Sequence, residues 1–290
     1  MKTVLSNGEL RVEISHLGAE VASAVIGGFE YMHQPTAAWG GTSPLLFPVC
    51  GRLVNSKYTL SGKEYQMEAH GFAMNEVFDL LRESESEVIL ALTSNEKTLA
   101  AYPFEFEIIA KYWISGNALF SEHTVVNLGK ETMPFMFGLH PGFMLVANNG
   151  AEFDSYRVAL GDAELTELPI CRGAFVSREK QQRKLDGGLL HINKKEICAV
   201  DTLVFKDTKK SLRLFREGEA RAVSMEFSDN FEYLCIWTHP NDDEFFLCIE
   251  PWSGIPSDGS RDDCFDTHDA MLRLAGGDRI SFRAAIKFEH

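Results

Sequence analysis

The sequence lacks the two features that would direct it to a membrane or to a nucleic acid. It has no run of 18 or more apolar residues, and Met1 to Glu9 lack the basic and then apolar pattern of a secretion signal. Basic residues are scarce, since 28 Lys and Arg stand against 42 Asp and Glu, for a formal charge of −14. Such a charge repels phosphate backbones and anionic lipid surfaces. We therefore expect a soluble cytoplasmic protein that binds neither nucleic acid nor membrane.

Paired cysteines and the common short catalytic motifs are missing too. The 6 cysteines form no CxxC pair and are too few for a disulfide framework in 290 residues, so we expect them to be reduced. Cys235 and Cys248 lie in apolar runs that predict neighbouring strands, where a free cysteine usually packs as a small hydrophobe. Neither HExxH nor GxSxG occurs, so the sequence indicates no metal site and no serine nucleophile.

Long helical periodicity is nearly absent, and short strand-like segments take its place. Runs rich in β-branched and aromatic residues alternate with Gly, Asn, Asp and Pro, as in LRVEIS, EVILALT, FEFEIIAKYWI and RISFRAAIKF. The best helical candidates are PTAAWGG (35–41) and SREKQQRKL (177–185). Without a linker or a repeat, this pattern predicts one all-β domain over residues 1–290, a large antiparallel β-sandwich with few short helices.

Two segments predict antiparallel hairpins, and one region is irregular. ALFSEHTVVNLGKETMPFMFGL (118–139) has two strand-like halves joined through NLGKE, and YLCIWTHPNDDEFFLCIE (233–250) repeats the arrangement through PNDDE. Residues 147–200 carry the least regular pattern, and we expect longer loops or a small excursion from the sheets there.

Four apolar segments end in a polar side chain next to glycine or proline. In FMFGLHPGF (135–143), alternation puts His140 on the face of Met136 and Gly138. Gly138 then leaves room beside the imidazole for something other than protein, and Pro141 and Gly142 predict the end of the strand. Similar segments end in three further polar residues, which are Arg52, His70 and Glu250. We expect the four side chains to converge on one face.

Glu250 is the residue best suited to acid or base chemistry. Alternation places it on one face with Cys248, where desolvation raises the pKa of a carboxyl group. An unpaired carboxylate there costs several kcal/mol, so the sequence predicts a partner or a ligand, and a structural ion pair with Arg52 is the alternative. Trp237 and Trp252 offer flat surfaces to a sugar ring or belong to the core, and Trp237 is a substrate-binding candidate.

These residues resemble the aldose 1-epimerase (galactose mutarotase) family, and more closely its lactose-operon-associated, galactose-mutarotase-like branch. The resemblance covers essentially the whole chain and rests on GRLVNSKYTLSGKEYQMEAHGF (51–72), VVNLGKETMPFMFGLHPGF (125–143), DTLVF (201–205) and LCIEPWSG (247–254). It implies a β-sandwich with an open sugar-binding cleft on one sheet. It also implies interconversion of the α and β anomers of a free aldose, with no metal and no organic cofactor.

By the same resemblance, His140 is the general acid for the ring oxygen and Glu250 is the base for the C1 hydroxyl. Arg52 and His70 match positions that bind and polarise sugar hydroxyls, and the short DTLVF match carries over Asp201. A histidine and a glutamate supply one donor and one acceptor near neutral pH, as ring opening requires. We expect the two side chains to meet across a sugar-sized gap at the open side of a sheet.

The chain departs from better-known epimerases after both histidines, where it reads HGFA (70–73) and HPGFML (140–145), and this bears on the identity of the substrate.

One alternative function is a glycoside hydrolase that uses Glu250 with Asp201 or Asp243, which needs two carboxyl groups about 5–10 Å apart. Another is a sugar-binding protein without catalysis.

A hexose 6-phosphate mutarotase is a further alternative, because the family that the chain resembles includes members that act on hexose 6-phosphates. Such a substrate requires a cluster of Arg or Lys side chains near the cleft. Arg157, Arg172 and Arg178 lie in the irregular region and are candidates for such a cluster. Arg52 is the only Arg or Lys in the four segments that end in polar side chains, so we favour a neutral sugar.

Overall fold

Strands of alternating burial form most of the regular structure of this chain, for which a computed structural model describes residues 1–145, 153–171 and 175–290. In β10 (Phe106–Ser115) and β11 (Ala118–Asn127), every second side chain is buried. The two strands pair antiparallel from Phe106↔Asn127 to Ser115↔Ala118, so their buried residues share one face. The period of two thus directs one face of the hairpin into the core, and this face is apolar in β10 but includes Ser121, His123 and Asn127 in β11.

The larger sheet has nine antiparallel strands among the described residues. Its spatial order is β20 (Leu189–His191), β15 (Tyr156–Ala159), β22 (Ser211–Arg216), β23 (Ala222–Phe227), β28 (Arg279–Glu289), β11, β10, β9 (Glu87–Thr93) and β8 (Asp79–Glu83).

The second sheet has eight strands in the same described part of the chain. Its order is β19 (Gln181–Lys184), β16 (Glu164–Glu167), β21 (Leu203–Lys206), β24 (Tyr233–Trp237), β25 (Phe246–Trp252), β13 (Gly138–Leu139) and β5 (Leu45–Leu46), and β14 (Gly142–Met144) also pairs with β25.

Smaller sheets and two short helices complete the fold of the described residues. One sheet has four strands, in the order β1 (Lys2–Ser6), β2 (Leu10–Ser15), β3 (Val21–Ile26) and β4 (Phe29–Glu30). Another has three, in the order β26 (Asp263–Cys264), β6 (Lys57–Leu60) and β7 (Lys63–Gln66). Two further sheets have two strands each, which are β12 (Met133–Phe135) with β27 (Leu272–Leu274) and β17 (Ile170–Cys171) with β18 (Phe175–Val176). The helices are α1 (Glu96–Ala101) and α2 (Lys194–Val200), with 3₁₀ turns at Val54–Ser56 and Ala73–Asn75. No helix in the ranges described has the length and apolar character of a membrane span.

The core lies between the two large sheets and is rich in aromatic rings. Phe282 of β28 stacks on Phe137, which precedes β13, with ring centroids 4.7 Å apart. Phe106 of β10 lies 5.0 Å from Phe47, which follows β5. The chain is thus the predicted all-β antiparallel sandwich. Because one cluster of buried side chains draws on both sheets, we propose that residues 1–290 form a single domain.

One predicted hairpin is confirmed and the other is wrong. Strands β24 and β25 pair antiparallel as predicted for residues 233–250. Strand β11, however, pairs with β10 and β28, while β12 pairs with β27. Asn127 redirects the chain, because its Oδ1 accepts from the Gly129 N–H and its Nδ2 donates to the carbonyl oxygens of Glu131 and Leu274. These bonds hold the chain after β11 against the end of β27.

Both helical candidates are wrong. In residues 35–41, Thr36 Oγ1 accepts from the N–H groups of Ala38 and Trp39, which is a local turn that competes with a helix. In residues 177–185, Gln181–Lys184 forms β19, because pairing with β16 satisfies its backbone and Arg183 forms an ion pair with Glu167 at 2.7 Å.

The described part of the irregular region differs from the prediction in part. Strands β15 and β20 extend the nine-stranded sheet, and β16 and β19 extend the eight-stranded sheet. These strands therefore widen both sheets, while the separate pair of β17 with β18 and the helix α2 form the small excursion that the sequence predicts.

Candidate active site

A cleft of about 290 Å³ opens along β21, β24 and β25 of the eight-stranded sheet. Its volume suits a small ligand. All the predicted site residues line it, namely Arg52, His70, His140, Asp201, Trp237 and Glu250. Asp243, the other carboxylate considered for a hydrolase, is not among the described residues that line this cleft.

The pairing of β13 and β14 with β25 places His140 directly opposite Glu250. The pairs on either side share one register, which is Gly138↔Trp252 and Gly142↔Cys248. Side chains directly opposite each other in an antiparallel pair have Cβ atoms about 4.5–5.5 Å apart. Nε2 of His140 accordingly lies 3.2 Å from Oε2 of Glu250, and the side chains are only 9% and 1% exposed. The structure thus brings together two residues that are far apart in the sequence.

Two geometric expectations about this pair are wrong. The sugar-sized gap between His140 and Glu250 is absent, because the two side chains lie next to each other as one wall of the cleft. The polar residues also do not mark strand ends, since Glu250 lies within β25 and His140 lies between two strands that share its register. Arg52 and His70 lie in the loops after β5 and β7. Pro141 and Pro251 do not interrupt the pairing of β25 with the chain between β13 and β14, because the Ile249 N–H still donates to the Pro141 carbonyl oxygen at 3.1 Å.

The expectation that Gly138 leaves room for a ligand beside the imidazole of His140 is wrong as well. A Cβ at this position would lie 2.8 Å from Trp252 Cδ1 and 2.9 Å from Cys50 Sγ. Protein side chains therefore fill the space beside the glycine, and its role is to let Trp252 and Cys50 pack against the backbone.

The backbone of Gly51 fixes the orientation of His70. The Gly51 N–H donates to His70 Nδ1 at 3.1 Å, so that nitrogen has no proton. Burial of the ring, with a smaller contribution from the charge of Arg52, lowers the pKa of His70 to about 4. The neutral ring therefore carries its proton on Nε2 and is a hydrogen-bond donor. His70 has φ of 65°, a left-handed conformation that costs a non-glycine residue strain energy and is common at functional sites.

Burial favours the uncharged form of the His140–Glu250 pair. It raises the pKa of Glu250 well above the usual 4.5, the nearby indole of Trp252 opposes this shift, and the charge of Asp201 adds to it. Burial also lowers the pKa of His140 well below 6.5, and His70 adds to that shift. A carboxylic acid beside a neutral imidazole is thus favoured over a carboxylate beside an imidazolium.

Arg52 and Asp201 lie on the exposed side of the cleft. The predicted alternative of an Arg52–Glu250 ion pair is not seen, because the side chain in contact with the Glu250 carboxyl group is that of His140. In the described chain, Arg52 has no carboxylate within ion-pair distance. Asp201 ends α2 with φ of 69°, a second left-handed residue at the cleft, and is close enough to influence Glu250 electrostatically.

Trp39 is a cleft residue that the sequence analysis missed. It lies in the segment predicted as a helix, stacks on Phe246 at 5.0 Å, and has its ring 5.5 Å from that of Trp237 and 5.3 Å from that of His140. Gly142 is required for this packing, because a Cβ there would lie 2.7 Å from Trp39. A tryptophan next to two glycines, Trp39-Gly-Gly, was the available signal.

The candidate phosphate-binding arginines do not line the cleft where they are described. Arg178 forms an ion pair with Asp269 at 2.8 Å, and Arg157 donates to the carbonyl oxygens of Asp154 and Tyr156. Arg172 lies outside the described residues. Of the described residues lining the cleft, Arg52 is the only Arg or Lys.

Comparisons with known proteins give a consistent result. A family model described as aldose 1-epimerase matches residues 1–261. Protein LacX (plasmid) of Lactococcus lactis subsp. lactis is 28% identical over 274 residues, which is 88% of this chain and 88% of LacX. A solved galactose mutarotase related enzyme from Lactobacillus acidophilus is 26% identical, with a TM-score of 0.92 over 100% of this chain and 98% of that one. A galactose mutarotase-like protein from Lactobacillus casei ATCC 334 is 24% identical and shares the fold, with a TM-score of 0.91 over 100% of both chains.

Proposed function

The chain belongs to the aldose 1-epimerase family, as its sequence predicts, and we propose that it interconverts the α and β anomers of a free, unphosphorylated aldose. The observation that carries this proposal is the contact between His140 and Glu250 in the cleft, at 3.2 Å. The reaction acts on two oxygens bonded to the same carbon, the ring oxygen O5 and the C1 hydroxyl. An acid and a base that serve them have to lie side by side.

Ring opening transfers two protons. Glu250 takes the proton of the C1 hydroxyl while the imidazolium of His140 gives a proton to O5, and the C1–O5 bond breaks to leave an aldehyde. After rotation about the C1–C2 bond, O5 attacks the other face of the aldehyde. Glu250 then returns a proton to the C1 oxygen and His140 takes one from O5. The proton count of the pair is unchanged over the cycle.

The electrostatics of the pair support this sequence of transfers. The uncharged form that burial favours, a carboxylic acid beside a neutral imidazole, is the form present while the sugar is open. Ring opening starts from the charged form, which arises when the proton of Glu250 moves to Nε2 of His140 across their 3.2 Å contact, and burial then favours the return to the uncharged form that ring opening produces.

The remaining predicted residues are proposed to bind the sugar. His70 presents its Nε2–H as a donor, and Arg52 offers a guanidinium with no competing carboxylate among the described residues. Asp201 accepts from a hydroxyl, and Trp237 with Trp39 forms an apolar wall for a ring face. One basic residue at the cleft supports a neutral sugar over a hexose 6-phosphate. We expect this activity in the cytoplasm.

Polarimetry tests the proposal directly. The protein should speed the equilibration of freshly dissolved α-D-galactose or α-D-glucose beyond the spontaneous rate, and less so for the hexose 6-phosphates. Glu250→Gln should lower the rate by at least ~100-fold, the usual scale for a positioned acid or base. Glu244→Gln is the matched control, because Glu244 is a buried carboxylate outside the cleft that accepts from Thr36 Oγ1. An undiminished rate in Glu250→Gln, or sugar binding without any acceleration by the wild type, would show that the proposal is wrong.

A further inference from the structure

A third metal-binding side chain lies against the His140–Glu250 pair. One nitrogen of His140, one carboxylate oxygen of Glu250 and Sγ of Cys248 all lie within 4.8 Å of one another. The cause is the register of the sheet, because Cys248 precedes Glu250 by two residues on the same face of β25. All three side chains are buried, and Cys248 is behind the cleft wall that the other two form.

The cluster contains polar atoms with no hydrogen-bond partner. Oε1 of Glu250 and Nδ1 of His140 are buried and have no partner at hydrogen-bond distance among the described residues, and the same holds for the indole N–H of Trp252 near Glu250. Buried polar atoms without partners are costly, and a ligand that bonds to them recovers that cost. The cluster therefore has donor atoms available in addition to the contact between the two side chains.

We infer that His140, Cys248 and Glu250 bind Zn²⁺, with the fourth coordination position open to the cleft. Imidazole nitrogen, thiolate sulfur and carboxylate oxygen are the donor atoms that zinc prefers, and three protein ligands with one open position are a common arrangement. Zinc–ligand bonds of about 2.0–2.3 Å hold such donors roughly 3.5 Å apart, so the widest separation of up to 4.8 Å has to close by about 1 Å. A small side-chain rotation supplies such a change.

Zinc at this site is inhibitory, and this consequence rests on the proposed function. A metal bonded to the imidazole and the carboxylate occupies the lone pairs that carry the two protons of ring opening. The thiol takes no part in those transfers, so Cys248 serves the metal site and not the reaction. Under the proposed function, the site couples the mutarotase activity to the concentration of zinc around the protein.

The experiment measures metal binding separately from activity. Titration of the protein with Co²⁺, a spectroscopic substitute for Zn²⁺, should give a thiolate-to-cobalt charge-transfer band that saturates at one metal per chain and is displaced by Zn²⁺. Cys248→Ala should remove the band and weaken zinc binding by at least ~100-fold, the upper end of the loss seen when only an outer-shell partner is removed. Cys248→Ser is the second variant in case the alanine variant does not fold.

Cys235→Ala is the matched control. Cys235 is an equally buried thiol that lies directly opposite Glu250 on β24, but it is outside the three-donor cluster. The control variant should keep the band. A wild type without a band, or a band that Cys248→Ala retains, would overturn the proposal.

The activity arm separates this proposal from the proposed function. Zinc should remove most of the mutarotase activity of the wild type, a chelator should restore it, and Cys248→Ala should be active and resistant to zinc. A Cys248-dependent band in a protein without mutarotase activity supports the metal site and contradicts the proposed function. A Cys248-dependent band with activity that zinc leaves unchanged overturns the inhibitory role.

Discussion

Replacing Glu250 by glutamine should raise the stability of the folded protein while it removes the activity. Glu250 is 1% exposed, and burial raises its pKa. A group whose pKa is higher in the folded state than in the unfolded chain contributes stability that is complete below the unfolded pKa and is lost as the pH rises through the folded pKa. The contribution of Glu250 to the free energy of unfolding of the wild type therefore falls as the pH rises. Glutamine does not titrate, so Glu250→Gln has no such loss.

The size of the effect follows from the proton balance. Each pH unit over which the folded protein keeps this proton and the unfolded chain does not costs about 1.4 kcal/mol. Between pH 5 and pH 7, the free energy of unfolding of Glu250→Gln should thus rise relative to wild type by up to ~3 kcal/mol. Glutamine retains the contact to His140 Nε2, because its amide can also reach across the 3.2 Å separation.

Urea denaturation of both proteins at several pH values measures this difference. The opposite charge state gives the opposite sign, because removing one partner of a buried carboxylate–imidazolium pair destabilises a protein by about 3–5 kcal/mol. A variant less stable than wild type at pH 7, or a difference that does not change with pH, would refute the reasoning. Glu244→Gln serves again as the control, since its bond to Thr36 Oγ1 already compensates for burial and no gain is expected.

Two further predictions concern histidines, one half-buried at the cleft and one buried in the core. His70→Asn keeps a residue type that tolerates positive φ, so it should fold as wild type, while loss of the Nε2–H donor that Gly51 orients should lower kcat/KM by roughly 10- to 100-fold in the polarimetric assay. Burial lowers the pKa of His123 to about 3, so its contribution to stability is present above the unfolded pKa and is lost as the pH falls. When the pH falls from 6.5 to 5, the free energy of unfolding measured by urea denaturation should therefore decrease by about 2 kcal/mol less in His123→Phe than in the wild type. Equal decreases in the two proteins would contradict this prediction.

Those elements that depend on neighbouring residues in the sequence could be predicted. Alternation in β10 specifies which side chains are buried, because the period of a strand is two, whereas the buried face of β11 includes Ser121, His123 and Asn127 and follows from its pairing with β10. The hairpin of β24 and β25 follows from one short turn between two apolar runs. The failed hairpin at NLGKE shows the limit, since the bonds from Asn127 to Glu131 and Leu274 depend on a strand far away in the chain.

The identities of the cleft residues could be predicted, and their geometry could not. Glu250, His140 and the loop residues stand out by residue type and by their position after apolar runs. Their mutual placement depends on the register between β25 and the two strands on either side of Pro141, which no local pattern specifies. Trp39 was missed for the same reason, because its contacts to Phe246 and Trp237 join distant parts of the chain.

That register also supports one of the two kinds of sugar chemistry considered over the other. A hydrolase needs two carboxyl groups about 5–10 Å apart, on either side of the bond that breaks. Residues directly opposite each other in an antiparallel pair point the same way and lie close together, and the residue opposite Glu250 on the side of β13 and β14 is a histidine. Such a pair reaches two oxygens on one carbon and leaves no room for a water molecule and a sugar between its members. The absence of the expected gap therefore favours ring opening over hydrolysis, and a measured hydrolysis of glycosides by this protein would contradict that conclusion.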